Sequence, residues 1–581
     1  MVYTEPRYGS DTIVDLMQAY GLEYLALNPG ATFRGLHDSL VNYGQGRPPI
    51  IECTHEEIAV FAALGYAKVT GKPMGVILHD VVGLIHANLA IYNAFLEKLP
   101  IMLFGGTGPM DTQQRRPGID WDHTALVQGS AIRDYTKWDD QPASIQGVAE
   151  SFARAYKTAV TEPKGPVYLC FDVPLQEDPL PPRMPSINID RVSVPSRISP
   201  DPQALTEVAA LLSKAENPVV LADFTGRNPE SVGYLAQLAE TMALPVLDLS
   251  GRFNIATNHH LNLTGSNLVE SADLILAFDT YDLSGATTRR DPASRLSSPI
   301  TPEGCLVVEI GLGDLGIKPW AHGYQRFQET DLSVLADTSL ALPQLLEMCQ
   351  AHVNKNSLLQ SKLQQRASFL AEQHQSLHAR WNEQLEAVWN QKPTSPARLA
   401  YEIFQAVKNE QWVHSGSGLN GWVRRLWDIT DPAQYLGRGH GTATQVGTTL
   451  GVALAHKGDD KLVVAIEPDG DLLFDPGALW TATHDRIPML MVMYNNRSYY
   501  NDWEHQKVVA GIRGTPERNA YLGMEIDNPG PDFAGLARSF GWYAEGPLYD
   551  PDEVQAALKR AIDVIKQDGR PALVDTVTQY R

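Results

Sequence analysis

The stretch Leu462-Val463-Val464-Ala465-Ile466-Glu467-Pro468-Asp469-Gly470-Asp471, with the later run Ile487 to Tyr494 and its tail Asn495-Asn496-Arg497-Ser498, decides how this chain folds. Leu462 to Ile466 is a short, β-rich apolar run that stops at a Pro/Asp/Gly turn, the pattern of a buried parallel strand. Gly477 to His484 is helix-prone, and Ile487 to Tyr494 is a second apolar run with a polar end. The unit therefore reads strand, turn, helix, strand. Both turns fall at carboxyl ends of strands, on the sheet edge where α/β folds hold ligands. One turn offers a carboxylate and the other a carboxamide. Oxygen donors of that kind suit a hard cation such as Mg²⁺, which binds through one or two protein groups and the oxygens of a phosphate ligand. These residues predict a diphosphate carried by Mg²⁺.

The pattern resembles the motif of the thiamin-diphosphate-dependent enzyme family, Gly-Asp-Gly followed about thirty residues later by Asn-Asn. The resemblance implies that the metal is held by Asp469, by Asn496 at 27 residues' distance, and by the backbone carbonyl of Ser498, with Gly470 and Asp471 completing the cofactor turn. Pro468 departs from the family by replacing the first Gly, and it has no N–H to donate. The alternative reading of these residues is a βαβ unit with acidic and amide caps.

Composition sets the frame. A chain of 581 residues with 43% apolar content can bury several cores. Its 47 basic and 68 acidic side chains give a formal charge of −21, which argues against nucleic acid or an anionic membrane as partner. Cys53, Cys170, Cys305 and Cys349 lie far apart without metal-type spacing, so a reducing cytoplasm is expected. The opening MVYTEPRYGSD has no basic-then-apolar signal and no apolar stretch is long enough to span a bilayer, so a soluble protein is expected.

In the first third, Ser10 to Tyr20 reads as an amphipathic helix capped by Ser10 or Asp11, and Tyr24 to Leu27 as a strand closed by Asn28-Pro29-Gly30. Thr54-His55-Glu56-Glu57 precedes a helical stretch through Gly65-Tyr66-Ala67. Acidic residues there can simply complement the helix dipole. The family resemblance gives Glu56 a sharper role: its carboxyl bonds the aminopyrimidine ring nitrogen of the cofactor and favours the tautomer that takes the thiazolium proton. Glu57 is the fallback for a register one residue off. Val76 to Gly83 carries His79, and Leu-His-x-x-x-Gly resembles the benzoylformate-decarboxylase branch, where that His acts in proton transfer. His86 and His123 are further imidazoles nearby in sequence, and Arg115-Arg116 offers a basic pair for an acidic substrate group or a solvated loop.

Strand and helix patterns alternate from Leu205 to Gly311, without a Gly-x-Gly-x-x-Gly after the first strand; Asp223-Phe224-Thr225-Gly226-Arg227 leaves open whether FAD or an ADP-containing ligand binds. Residues 178–202 read as a proline-rich linker, and 351–391 as a polar, surface helical linker. Trp412 to Gly418 ends a strand in small residues, so that Gly416, Ser417 and Gly418 face the cofactor in the family reading. A second Gly/Thr-rich turn spans 437–444, and Thr442 stands where the family places an aliphatic wedge. Tyr499 to His505 interleaves aromatic and acidic groups, making Glu504 a candidate for an additional acid/base and, alternatively, part of a surface helix.

The expected fold is α/β, three consecutive Rossmann-like parallel-sheet domains: a pyrimidine-binding domain at 1–185, a central domain at 200–340, a helical linker at 341–393 and a diphosphate-binding domain at 394–581. Glu56 and Asp469 lie 413 residues apart. In the family such residues meet across a subunit interface, which implies a homodimer or a homotetramer. The implied activity is thiamin-diphosphate- and Mg²⁺-dependent cleavage or formation of a C–C bond next to a carbonyl, of the acetolactate-synthase or benzoylformate-decarboxylase type, on small 2-oxo acids. A 2-hydroxyacyl-CoA lyase is the enzymatic alternative. A catalytically silent binding subunit and a flavin- or nicotinamide-dependent oxidoreductase are the readings from other classes.

Overall fold

Short apolar strands, each ending in a polar or glycine turn and returning through a helix, can pair only in parallel, and this chain builds three such sheets. The computed structural model describes residues 5–185, 187–316, 326–439 and 445–580, with the side chains of 417, 420 and 445 left aside.

The first sheet runs, in spatial order, Ile50–Glu52, Leu25–Leu27, Met74–Leu78, Ile101–Thr107, Pro166–Asp172 and Trp138–Asp140, with every pair parallel. After Leu25–Leu27 the chain steps to one side and then crosses back to Met74–Leu78. A crevice therefore opens between the carboxyl ends of those two strands. The central sheet has the order Leu332–Leu335, Leu306–Gly311, Leu274–Phe278, Pro218–Ala222 and Val246–Asp248. The third is Trp412–Ser417, Leu462–Pro468, Leu490–Asn495, Ala572–Val577 and Tyr543–Leu548. The architecture is the expected α/β one, and the strands at Pro218–Ala222 and Ala572–Val577 have the expected bounds. A small antiparallel pair, Thr288–Arg290 with Ser297–Pro299, lies outside the three sheets.

Two helices fasten the first sheet to the third. Helix Glu56–Thr70 is buried over nearly its whole surface and crosses helix Gln445–Ala455 at glycines. A Cβ on Gly65 would lie 2.0 Å from the Thr448 carbonyl oxygen, and one on Gly451 would lie 1.8 Å from that of Ala62. Only glycine permits backbones that close. Phe61, Leu64, Val446 and Leu450 share one continuous apolar core with Met491 and Met493 of the third sheet.

Two expectations are corrected. The first helix is Gly9–Ala19 with Tyr8 at its N-cap, and the Asp11 side chain accepts from the backbone N–H groups of Arg7 and Tyr8, so neither Ser10 nor Asp11 is the cap. The 351–391 stretch is dominated by helix Ser357–Val388, but it is no mere surface linker. Leu359, Leu363, Leu370, Leu377 and Trp381 form a stripe buried in the core of the central sheet. Among the described residues no helix is long and apolar enough to cross a membrane.

Candidate active site

The turn after Leu462–Pro468 is set by Pro468, whose φ of −64° and ψ of 144° place it as N-cap of the short helix Asp469–Leu472. Fixed φ suits that position. Asp469 is 2% exposed. Its Oδ1 accepts from the Gly470 N–H at 3.0 Å and its Oδ2 from the Ser498 N–H at 3.2 Å. The same Ser498 N–H donates to Asn496 Oδ1 at 2.9 Å. The two oxygen-bearing side chains, on neighbouring parallel strands, thus converge on one backbone group. Burial pushes the Asp469 carboxyl up to about 7 although backbone N–H groups of Gly470, Arg497 and Ser498 pull the other way. A buried carboxylate short of positive charge, beside a carboxamide oxygen, is a donor set that fits a hard divalent cation. The neighbouring glycines let the turn pack closely: a Cβ on Gly418 would lie 2.8 Å from Pro468 Cγ, and one on Gly470 2.5 Å from the Tyr499 ring. Gly416 and Ser417 lie at the end of the adjoining strand, opposite Ala465 and Ile466. Asp471 sits in the same short helix and is half-buried.

Glu56 opens the helix Glu56–Thr70, with His55 as N-cap accepting from the Glu57 N–H through Nδ1 at 3.2 Å. Glu56 is buried, and both oxygens are engaged: Asn28 Nδ2 donates to Oε1 at 3.2 Å, and His86 Nδ1 bonds Oε2 at 3.1 Å. Burial alone would raise its pKa, but the His86 and Asn28 bonds outweigh it and hold the carboxyl below the ordinary value. Glu57 goes the other way, pushed to about 7 by burial and by Asp475. The His86 ring stacks on His55 with centroids 5.0 Å apart.

His79 follows Met74–Leu78, at the crevice of the first sheet, where a Cβ on Gly30 would touch its side chain at 2.4 Å. Its Nδ1 bonds Thr32 Oγ1 at 3.0 Å and its Nε2 is 3.1 Å from Asp80 Oδ2. Burial lowers its pKa against the opposing pull of Asp80. The Arg115-Arg116 pair is committed within its own loop: Arg116 forks onto buried Asp120, and Arg115 Nε donates to the Pro109 carbonyl at 2.7 Å. Glu504 lies in helix Tyr500–Arg513 and pairs with Lys507 at 2.6 Å, while Tyr500 and Trp503 pack against Tyr580. Thr442 lies outside the described residues. The sequence reading did not pair Glu56 with Asn28 and His86, nor Asp80 with His79 and His123.

Two family models match the chain: the thiamine pyrophosphate enzyme N-terminal TPP binding domain over residues 7–130, and the C-terminal TPP binding domain over residues 416–576. The chain belongs to the thiamin-diphosphate-dependent enzyme family. Each model covers one of the two clusters just described, the first Glu56 and His79, the second Asp469, Asn496 and Ser498. This thiamin-diphosphate enzyme is 25% identical to a benzoylformate decarboxylase of Pseudomonas aeruginosa, over 90% of its own length and 91% of the relative's. It is 23% identical to acetolactate synthases of Bacillus subtilis, over 98% and 93%, and of Nicotiana tabacum, over 99% and 83%. The crystal structure of benzoylformate decarboxylase from Polynucleobacter necessarius superposes with a TM-score of 0.75 at 17% identity, covering 99% of both chains. A thiamin diphosphate-dependent enzyme structure from Mycobacterium smegmatis gives 0.71 at 19%, covering 99% of this chain and 100% of that one. At such identities the superpositions speak for the fold. With the family models, the relatives make this a thiamin-diphosphate-dependent enzyme of the acetolactate synthase and benzoylformate decarboxylase type.

Proposed function

We propose that this enzyme uses thiamin diphosphate with Mg²⁺ to cleave or form the C–C bond next to the carbonyl of a small 2-oxo acid, as a decarboxylase or carboligase. The observation that carries the reading is the convergence of Asp469 and Asn496 on the Ser498 N–H at the ends of neighbouring strands. Asp469, the Asn496 side-chain oxygen and the Ser498 carbonyl would hold the cation, with Gly416, Ser417, Gly418, Gly470 and Asp471 around the diphosphate. Thiamin diphosphate, when bound, supplies the carbanion and stores the electron pair left by the departing fragment.

The chain's own groups orient the reactants and move protons. Glu56, held by Asn28 and His86, would exchange one of those bonds for the pyrimidine nitrogen and share a single proton with it, taking the proton up and returning it. His79, with Nδ1 anchored on Thr32, presents Nε2 for proton transfer at the substrate carbonyl carbon or oxygen. Glu504 serves as the outer acid/base only if it leaves Lys507, so its role is the secondary one.

We further infer a homodimer or a dimer of dimers as the working unit. Apolar side chains next to both clusters face outward in the single chain: Ile85 and Leu89 beside His86, Phe474 after Asp471, and Ile512 on the helix that carries Glu504. A second copy would cover them.

A panel of 2-oxo acids and 2-hydroxyacyl-CoA thioesters, assayed for carbon dioxide, aldehyde and ligation product, tests the proposal. Carbon dioxide release from a 2-oxo acid is the expected result. Cleavage of the thioesters alone would make the chain a 2-hydroxyacyl-CoA lyase, and cofactor uptake without turnover on any member would make it a silent binding subunit.

A further inference from the structure

His79, Asp80 and His123 bring two imidazoles and one carboxylate to a point at the mouth of the first sheet. Asp80 Oδ2 lies 3.1 Å from His79 Nε2 and 3.0 Å from His123 Nδ1, and the ligating atoms of all three residues fall within 4.8 Å of one another. Distance alone would suggest hydrogen bonds. Yet both Asp80 Oδ2 and His123 Nδ1 are buried without a hydrogen-bond partner, because the contact between them is not aligned for N–H···O bonding. The His86–Glu56 contact in the same region has the same 3.1 Å separation and is a directed hydrogen bond. In the Asp80 cluster the carboxylate oxygen and His123 Nδ1 are close together without a directed hydrogen bond, an arrangement that suits donor atoms sharing a small cation.

The surroundings fit ligation. Asp80 has no exposed side chain, and its backbone φ is +31°, a left-handed conformation that a residue with a Cβ rarely adopts. Its other oxygen, Oδ1, accepts from the Val82 N–H at 2.8 Å, which fixes the carboxylate plane and leaves Oδ2 toward the histidines. Thr32 Oγ1 accepts from the Asp80 N–H at 3.2 Å and bonds His79 Nδ1 at 3.0 Å, the outer partner that a ligating imidazole needs to present Nε2. Ligand bonds of about 2.0–2.2 Å put neighbouring donor atoms roughly 3–3.5 Å apart, which matches both contacts to Oδ2. The His79 and His123 side chains are 16% and 28% exposed, so an ion can reach the site.

We propose that His79, Asp80 and His123 form a binding site for a divalent transition metal of the Zn²⁺ class, apart from the oxygen-only site at Asp469 and Asn496, and that the metal, when bound, takes His79 Nε2 out of the proton transfer proposed above. Two neutral imidazoles with one carboxylate select such a metal over Mg²⁺, whose preferred ligands are oxygens. Three protein ligands also leave a coordination position open to water or an oxyanion.

The test uses the full-length protein freed of metal by a chelator and held in excess Mg²⁺, titrated with Co²⁺ and followed by its visible d–d absorption, then with Zn²⁺ against a chromogenic chelator. One Co²⁺ or Zn²⁺ per chain is expected to bind, with loss of at least tenfold in affinity in Asp80→Asn and in His123→Gln. His456→Gln, which alters a largely buried imidazole paired with Asp459 in another domain, is the control and is expected to bind as the wild type does. Because Asp80 is buried and strained, His123→Gln, at a partly exposed ring, keeps the test valid if Asp80→Asn folds poorly. Absence of a Co²⁺ spectrum in the wild type, or an unchanged spectrum in a folded His123→Gln, would overturn the assignment.

Discussion

Glu56 Oε2 and His86 Nδ1 bond at 3.1 Å across 30 residues of sequence, and this contact sets the charge state of the carboxyl at the head of the Glu56–Thr70 helix. Glu56→Gln removes the ionisable group and keeps the shape. It is expected to retain cofactor binding by calorimetry and to lose about 10²–10⁴ in turnover. Turnover near the wild-type rate would mean that the base lies elsewhere, with Glu57 next in line.

The same pair predicts a pH effect. His86 is the leading group holding the Glu56 carboxyl below its ordinary value against burial, so His86→Ala is expected to move the Glu56 pKa upward. The acidic limb of the kcat/KM profile should shift to higher pH, while a profile that merely drops in height would deny the coupling.

Asp469→Ala removes, among the described residues, the one side-chain carboxylate bonded to the Ser498 N–H. Mg²⁺-dependent uptake of thiamin diphosphate is expected to fall below detection by calorimetry at millimolar Mg²⁺. Uptake that matches the wild type would reject the metal assignment.

Asp575 is fully buried on the third sheet, with one oxygen bonded to Asn495 Nδ2 at 3.0 Å and the other without a partner. Burial pushes its carboxyl up to about 6 from an ordinary 3.8. A raised carboxyl favours the protonated native state, so its contribution is whole below the ordinary value and is lost as pH climbs through about 6. Asp575→Asn is expected to be more stable than the wild type by about 1–3 kcal/mol at pH 8, with the gap closing toward pH 4. Denaturant unfolding at the two pH values measures it, and a variant less stable at pH 8 would contradict the sign.

Gly451→Ala and Gly65→Ala each drive a methyl into a backbone carbonyl of the facing helix. Each is expected to cost about 2–4 kcal/mol, seen as a lowered unfolding temperature and poor soluble yield. Gly233→Ala, with nothing within 4 Å of the new Cβ in helix Pro229–Met242, is expected to be harmless or mildly stabilising. Equal effects at the three positions would show that helix propensity rather than the close crossing governs them.

The strand ends were readable because a parallel strand buried on both faces is a continuous apolar run, and a Pro/Asp/Gly or Asn-Asn tail marks where it stops. Asp469 and Asn496 stand at such ends, whereas Glu56 stands at a helix start, where acids are ordinary, and only the family resemblance singles it out. Helix Ser357–Val388 reads as surface because its six buried apolar residues are spaced thinly among Gln and other polar residues, so that composition hides the stripe. Asn28, His86, Asp80 and His123 carry no local pattern. Their meaning lies in which strands the sheet order brings side by side, and a crossover from Ile50–Glu52 past Leu25–Leu27 to Met74–Leu78 leaves no trace in residue spacing.

The glycine crossing of helices Glu56–Thr70 and Gln445–Ala455 joins the first and third sheets by direct packing, independently of the backbone between them. Residues 187–201 hold little regular structure beyond the turn Ile189–Arg191, so a protease that nicks them would sever the chain without parting the pieces. The amino-terminal fragment would stay seated like a bound subunit, and the two halves expressed as separate polypeptides would assemble on each other.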